Sequence, residues 1–138
     1  ELYPLQAEEI KSLNYCEQLK RADLESVFQL LHKCEWEKDV IITPFFTFNK
    51  IKVSLFDFTT QQRFNVIYYD SFAPSAQPEH WTAEIFGKLF SILLPGGILV
   101  TYCSKSIVRK AMQAAGFVVT KIQGPWGKRE MIRAIRKS

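Results

Sequence analysis

Residues 66–74 read Val66-Ile67-Tyr68-Tyr69-Asp70-Ser71-Phe72-Ala73-Pro74, an apolar run that ends on an acid and then enters a turn. Such a run reads as a buried strand of a parallel sheet, with apolar residues on both faces. Open α/β sheets bind ligands just beyond the carboxyl ends of their strands, so Asp70 is the residue of this chain best placed to face one. Pro74 fixes the backbone of the turn that aims it. A buried carboxylate is costly unless something pairs with it. Aspartate is equally at home as the cap of a loop, and the strand end alone does not separate the two roles.

Outward from this strand, the chain alternates strand-like and helix-like segments. Toward the N-terminus, Phe46, Phe48, Ile51, Val53 and Leu55 predict two strands joined around Asn49-Lys50, ending at Asp57. Before them, residues 6–13 predict a short helix and residues 22–34 a longer one, with Leu24, Val27, Phe28, Leu31 and Cys34 on one face. Glu1 to Leu5 reads as a strand end and a turn at Pro4. Toward the C-terminus, residues 79–94 predict a helix with Ile85, Leu89, Ile92 and Leu93 inward, stopped by Pro95-Gly96-Gly97. Ile98 to Tyr102 predicts a second buried strand. A helix capped by Ser104 or Ser106 follows, with Ile107, Val108, Ala111, Met112 and Ala115 on its apolar face and Gly116 as its stop. Strands over 117–122 and 130–135 close the chain, and so short a connection makes that pair antiparallel. The alternation predicts an α/β fold with a mainly parallel sheet and a C-terminal antiparallel hairpin.

The 138 residues suffice for one domain with a sizeable core, and 47% hydrophobic with 23% charged residues excludes a disordered chain. Cys16, Cys34 and Cys103 are far apart and form no metal-ligand pair, which predicts reduced thiols, a cytoplasmic location and no metal site. No run is apolar for long enough to span a membrane. The net charge of +4 is unevenly spread. Residues 1–104 carry 9 basic and 13 acidic side chains, whereas residues 105–138 carry 9 basic ones against Glu130 alone. A one-sided basic segment points to a polyanion, nucleic acid first, or to a solvated basic surface. His32 and His80 stand alone, and no serine–histidine or cysteine–histidine pair is evident.

Several pieces fall in order: Asp70-Ser71-Phe72-Ala73-Pro74, Gln77-Pro78-Glu79-His80-Trp81-Thr82, Pro95-Gly96-Gly97-Ile98-Leu99-Val100-Thr101-Tyr102, Ala115-Gly116-Phe117 and Gly127-Lys128-Arg129-Glu130-Met131. The series resembles the S-adenosylmethionine-dependent methyltransferase domain of the bacterial tRNA 5-methylaminomethyl-2-thiouridine synthesis enzymes. Each piece alone is common; the ordered set is specific and extends over most of the chain. The resemblance implies a class I, Rossmann-like sheet and S-adenosylmethionine as cofactor. It also implies methylation of an aminomethyl group on the wobble uridine of tRNA. A flavin-dependent oxidase, fused in some members or separate, would make the amine; nothing in this chain resembles that second domain.

One family feature is missing. Class I methyltransferases hold the methionine end of the cofactor on a glycine-rich loop after their first strand, and none of the six glycines here makes such a loop. Glu1 resembles the acid that ends the second strand. The chain is therefore expected to be a single truncated domain, residues 1–138, lacking the first strand and first helix and carrying about half a cofactor site.

By the same resemblance Glu1 would bond the ribose hydroxyls and Asp57 the adenine amino group, while Phe72 and Pro74 would wall the adenine or the reacting centre. Asp70 would contact the cofactor and hold and deprotonate the attacking amine. Each has a plainer reading as a chain end, a turn residue or core. Trp126 is a candidate to stack on an RNA base. Lys128 and Arg129 are candidates for phosphate contacts, extended by Lys105 and Arg109. Two other functions fit the same residues: an RNA-binding fragment without chemistry, and a class I methyltransferase acting on a different amine.

Overall fold

A computed structural model describes residues 1–127 and 129–137, and its contacts group the chain into two compact units, Glu1–Phe58 and Thr59–Ser138. The first unit holds three short helices, α1 (Ala7–Ser12), α2 (Tyr15–Gln18) and α3 (Glu25–Lys33), and a hairpin of β1 (Val40–Thr43) and β2 (Phe46–Phe48). A capping box opens α1, with the Gln6 backbone N–H donating to the Glu9 carboxylate at 2.7 Å. Cys16 is the only buried apolar side chain among the described residues of this unit, and burial pushes its thiol pKa up.

The strands expected on either side of Asn49-Lys50 are not formed there. The hairpin turns at Pro44-Phe45, with Val40 opposite Phe48, and residues 49–55 run as irregular chain. Side chains hold that stretch instead. The Lys52 amide donates to the Glu37 carboxylate at 2.6 Å, and Lys50 Nζ donates to the His32 carbonyl at 2.7 Å while lying over the Trp36 ring. Glu1 to Leu5 forms no strand either.

The second unit is an α/β layer. Its strands are β3 (Phe64–Tyr69), β4 (Leu93–Thr101), β5 (Val118–Gln123) and β6 (Glu130–Ile135), arranged β3-β4-β6-β5. β3 and β4 pair in parallel, and β6 pairs antiparallel with both β4 and β5. Three strands therefore point one way, with β6 reversed between two of them, the mainly parallel sheet with a closing hairpin that the sequence implied. Helices α4 (Ala83–Ile92) and α5 (Ser106–Ala114) cover one face. Phe86, Leu89, Leu93, Leu99, Val108, Met112, Ile132 and Ala134 make the core there. The other face of β3 is open, with Val66 43% and Tyr68 82% exposed, so this strand is not covered on both faces as its apolar run suggested.

Local details also depart from the sequence pattern. Residues 78–81 form a 3-10 turn rather than the first turn of a helix, and Thr82 caps α4, its hydroxyl accepting from the Ile85 amide at 3.3 Å. Pro95-Gly96-Gly97 does not end α4; the helix already ends at Ile92, with Leu93 extended. The triplet forms an excursion inside β4. Phe64 pairs with Leu93 and Val66 with Ile98, so residues 94–97 of β4 face Asn65 alone. Glycine is required in this bend: Gly96 has φ +79°, and a Cβ on Gly97 would stand 2.8 Å from the Leu94 carbonyl oxygen. Neither Ser104 nor Ser106 caps α5, whose N-cap is Lys105. Its C-terminus is the expected glycine stop, with the Gly116 amide bonding to Gln113 and the Phe117 amide to Met112 in a Schellman pattern. Ile107, placed on the apolar face by its spacing, points to solvent.

Arg136 joins the pieces around the bend. Its guanidinium donates to the carbonyls of Phe90, Ser91 and Leu93 at 3.0, 3.2 and 2.6 Å and lies over the Phe90 ring at 4.9 Å. Its backbone pairs with Gly96 and Gly97 at 2.7 and 2.9 Å. Replacing Arg136 by Met keeps the stem and removes the donors, and is expected to cost about 2–3 kcal/mol of unfolding free energy. Urea unfolding of Arg136→Met beside Arg136→Lys checks this, with Lys giving the smaller loss; an unchanged Met midpoint would show that water replaces the guanidinium at no cost.

Candidate functional site

Parallel strands share a carboxyl edge, and in the second unit that edge gathers most of the residues singled out above. Tyr69 of β3 pairs with Thr101 of β4, Thr101 with Ile132 of β6, and Ile132 with Lys121 of β5. The segments leaving β3, β4 and β5 therefore emerge on one side. They carry Asp70, Phe72 and Pro74 in the first case, Lys105 in the second, and Trp126 and Arg129 in the third. Three strand spacings separate the first loop from the last, roughly 14 Å.

Asp70 is the first residue beyond β3, and its side chain is exposed rather than buried. Phe72 is 72% exposed, and Pro74 is half-buried. Side chains fix the loop. Tyr102 Oη donates to the Ser71 carbonyl at 2.8 Å, Trp81 Nε1 to the Phe72 carbonyl at 2.9 Å, and Tyr69 Oη to the His80 carbonyl at 2.6 Å. Burial pushes both tyrosine pKa values up, and for Tyr102 the neighbouring Cys103 and Asp70 add to the shift. Both phenols therefore stay neutral donors at physiological pH. The sequence reading missed these three rings. Their signal was an aromatic beside each end of the loop, hidden because aromatics also fill cores.

The loop between β5 and β6 lines an open cavity of about 580 Å³ with Gln123, Gly124, Pro125, Trp126, Gly127 and Arg129. Trp126 is fully exposed, so it is not a lid on the core. Lys128 lies outside the described residues. Glu130 takes a 2.5 Å salt bridge from Lys121, which holds its carboxyl below the usual range, helped by the fields of Arg129 and Arg109. Arg109 thus shares the electrostatic neighbourhood of this loop. Its Nε is buried without a partner among the described residues, while its terminal nitrogen reaches Ser106 Oγ at 3.5 Å.

Glu1 and Asp57 belong to the first unit. Glu1 borders a cavity of about 310 Å³ lined by Asn49, Ile51, Val53, Leu55 and Phe58, and its carboxylate accepts from the Tyr3 amide at 2.7 Å. Asp57 sits in a turn whose amides fold back on Ser54, not at a strand end. Among the described residues, no group of three His, Cys, Asp or Glu side chains is placed to hold a metal ion, and no helix is long and apolar enough to cross a membrane.

A family model described as S-adenosyl-L-methionine-dependent methyltransferase matches residues 14–137. This chain belongs to that family. The second unit is built accordingly, with an α/β sheet whose carboxyl edge carries the candidate loops. Among solved structures, MNMC2 from Aquifex aeolicus has the same fold, at a TM-score of 0.67 and 19% identity over 82% of this chain. The match spans 37% of the Aquifex chain. A methyltransferase from Pyrococcus furiosus matches at TM-score 0.48 and 17% identity, over 57% of this chain and 44% of that one. The N-methyltransferase NodS from Bradyrhizobium japonicum WM9 matches at 0.47 and 15%, over 65% of this chain and 60% of that one. The family cofactor is S-adenosylmethionine. The loop after β3 fits such a ligand chemically: it offers an open carboxylate and an open aromatic ring, and residues 70–77 contain no basic side chain to repel a sulfonium.

The Lys121–Glu130 pair gives a signed pH dependence. A lowered carboxyl pKa contributes stability above the unfolded value, near 4.3, and that stability is lost as pH falls through the folded value. Glu130→Gln is therefore expected to melt below the parent chain at pH 7, with the gap closing below about pH 4. Thermal melts of both proteins from pH 3 to pH 7 check this; a gap that persists in acid would mean the pair is not its source.

Proposed function

We propose that this methyltransferase acts on an aminomethyl group of the wobble uridine of tRNA, with Asp70 at the reacting nitrogen and the β5–β6 loop on the RNA. The observation that supports it most is the shared edge: an open acid at one end, a fully exposed tryptophan and arginine at the other, with Lys105 on the segment between. The ordered motifs quoted above supply the substrate class. By the same resemblance a flavin-dependent oxidase supplies the amine.

Bound S-adenosylmethionine supplies an electrophilic methyl group on a cationic sulfur. The chain's own residues have to place a nitrogen lone pair in line with that carbon. An alkylamine, with a pKa of roughly 10, arrives protonated and must lose its proton before it can attack. In this reading Asp70 receives the ammonium, orients it and helps pass its proton on to water, and Phe72 and Pro74 wall the centre. Glu1 and Asp57 are the proposed ribose and adenine contacts. Trp126 stacks on an unpaired base, while Arg129, Lys128, Arg109 and Lys105 meet phosphates.

Asparagine at position 70 keeps the shape and removes the charge. Asp70→Asn is expected to lower methyl transfer about 100-fold. The deficit should narrow as pH rises and more of the amine is neutral unaided. Rates from pH 7 to pH 10, with melts of the same protein, test this; a stable and fully active variant would return Asp70 to a loop cap.

RNA contact has its own measure. Replacing both Lys128 and Arg129 by alanine should weaken tRNA binding and reduce the log–log salt slope by about 1.5 to 2. An unchanged slope would favour a small amine as substrate and a solvated role for this loop.

A further inference from the structure

The loop after β3 is anchored in an unusual way. At its far end the backbone amides of Ala76 and Gln77 both reach the Ala73 carbonyl, at 2.8 and 3.0 Å. At the near end, the consecutive carbonyls of Ser71 and Phe72 are taken by ring donors from two other elements, Tyr102 just beyond β4 and Trp81 in the 3-10 turn. Tyr69 ties the same turn back to the strand through the His80 carbonyl.

The three donor rings are packed together. Trp81 lies 5.2 Å from Tyr69 and 6.1 Å from Tyr102, both edge-on, and Tyr69 and Trp81 each contact the fully buried Phe86. Trp81 and Tyr69 are almost wholly buried, so their single polar atoms need a protein partner, and these carbonyls serve as that partner. The result is asymmetric: backbone turned inward and held, with the Asp70 and Phe72 side chains left open to solvent.

We infer that Trp81 and Tyr102 are positioning residues for methyl transfer, clamping the Ser71 and Phe72 carbonyls so that Asp70 and Phe72 are presented at a fixed place on the sheet edge. This rests on the reading of Asp70 as the group that meets the amine. Neither ring touches substrate in this arrangement; each acts through the loop. Misplacing a reacting group by about 1 Å can cost on the order of 100-fold in rate, so one lost donor at the base of the loop is enough to be seen.

Phenylalanine at either position keeps a ring and removes the donor. In the full-length protein, Trp81→Phe and Tyr102→Phe are each expected to lower kcat by about 10- to 100-fold with KM for the RNA within about 2-fold. Amide exchange should quicken in residues 71–76 and stay unchanged in β4 and β6. Melting temperatures should fall by no more than about 8 °C, the scale of one hydrogen bond. Tyr68→Phe, on the open face of the same strand, is the control expected to leave both readouts alone. Unchanged kcat in both ring variants, or exchange that quickens evenly along the chain, would overturn the clamp. An active Asp70→Asn beside impaired ring variants would instead remove Asp70 from the chemistry and leave the clamp standing.

Discussion

The turn from α4 into β4 constrains everything that follows it in the second unit. β4 pairs with β3 on one side and β6 on the other, so both the sheet and its carboxyl edge depend on where β4 starts. The chain leaves the helix at Ile92 and enters the ladder at Leu93, without a glycine cap. That leaves helix carbonyls pointing out of the C-terminus with no intrahelical partner. Arg136, just beyond β6, supplies donors there: it bonds the Ser91 carbonyl, the Leu93 carbonyl and the Phe90 carbonyl, which also accepts from the Leu93 amide. Positive charge at a helix C-terminus is favourable in its own right. The same residue, through its backbone, joins the Gly96-Gly97 bend to the last strand. One guanidinium thus links the end of a helix, the start of the central strand and the end of the chain's last strand.

This changes the meaning of the basic C-terminal segment. Its charge surplus looks uniform in the sequence, but the fold sorts it. Arg136 bonds carbonyls and Lys121 pairs with Glu130. Arg133 pairs with Val100 and Thr120 in the register that faces away from α4 and α5. Arg109, Arg129 and Lys105 remain toward the carboxyl edge. The electrostatic argument for a polyanion therefore rests on a few cations grouped at one edge beside an open tryptophan, a smaller and more specific statement than the net charge made.

The order of elements and the direction of the strands in the second unit were legible because long apolar runs, a Schellman glycine and a short closing loop each have one economical solution. The first unit was harder to read. Its phenylalanines fit a strand pattern, but Phe45 and Phe46 are exposed and the hairpin turns at Pro44, so the alternation did not mark a buried face. Pro95-Gly96-Gly97 was misread for a different reason. Proline and glycine punctuate helices and also permit excursions within strands, and only the pairing of Phe64 with Leu93 distinguishes the two. The position of Asp70 just beyond β3 was legible because a strand end is a local feature. The rings that hold the loop were not, since Trp81 and Tyr102 are recognisable as donors only once the fold brings them to Ser71 and Phe72.

The exposure of Asp70 bears on what it can do. If Asp70 meets the amine as proposed, its negative charge first gathers that substrate in the unreactive ammonium form. An alkylammonium, with a pKa of roughly 10, holds its proton too tightly for a carboxylate to remove it by base strength alone. An acid sealed in the core would hold the pair together. An acid on an open edge can pass the proton on to water as the nitrogen turns toward the methyl group. What it must not do is move, because the in-line geometry is lost within about 1 Å. In this reading the site needs a carboxylate that is wet but fixed, and a loop held through its own carbonyls by buried rings meets both conditions.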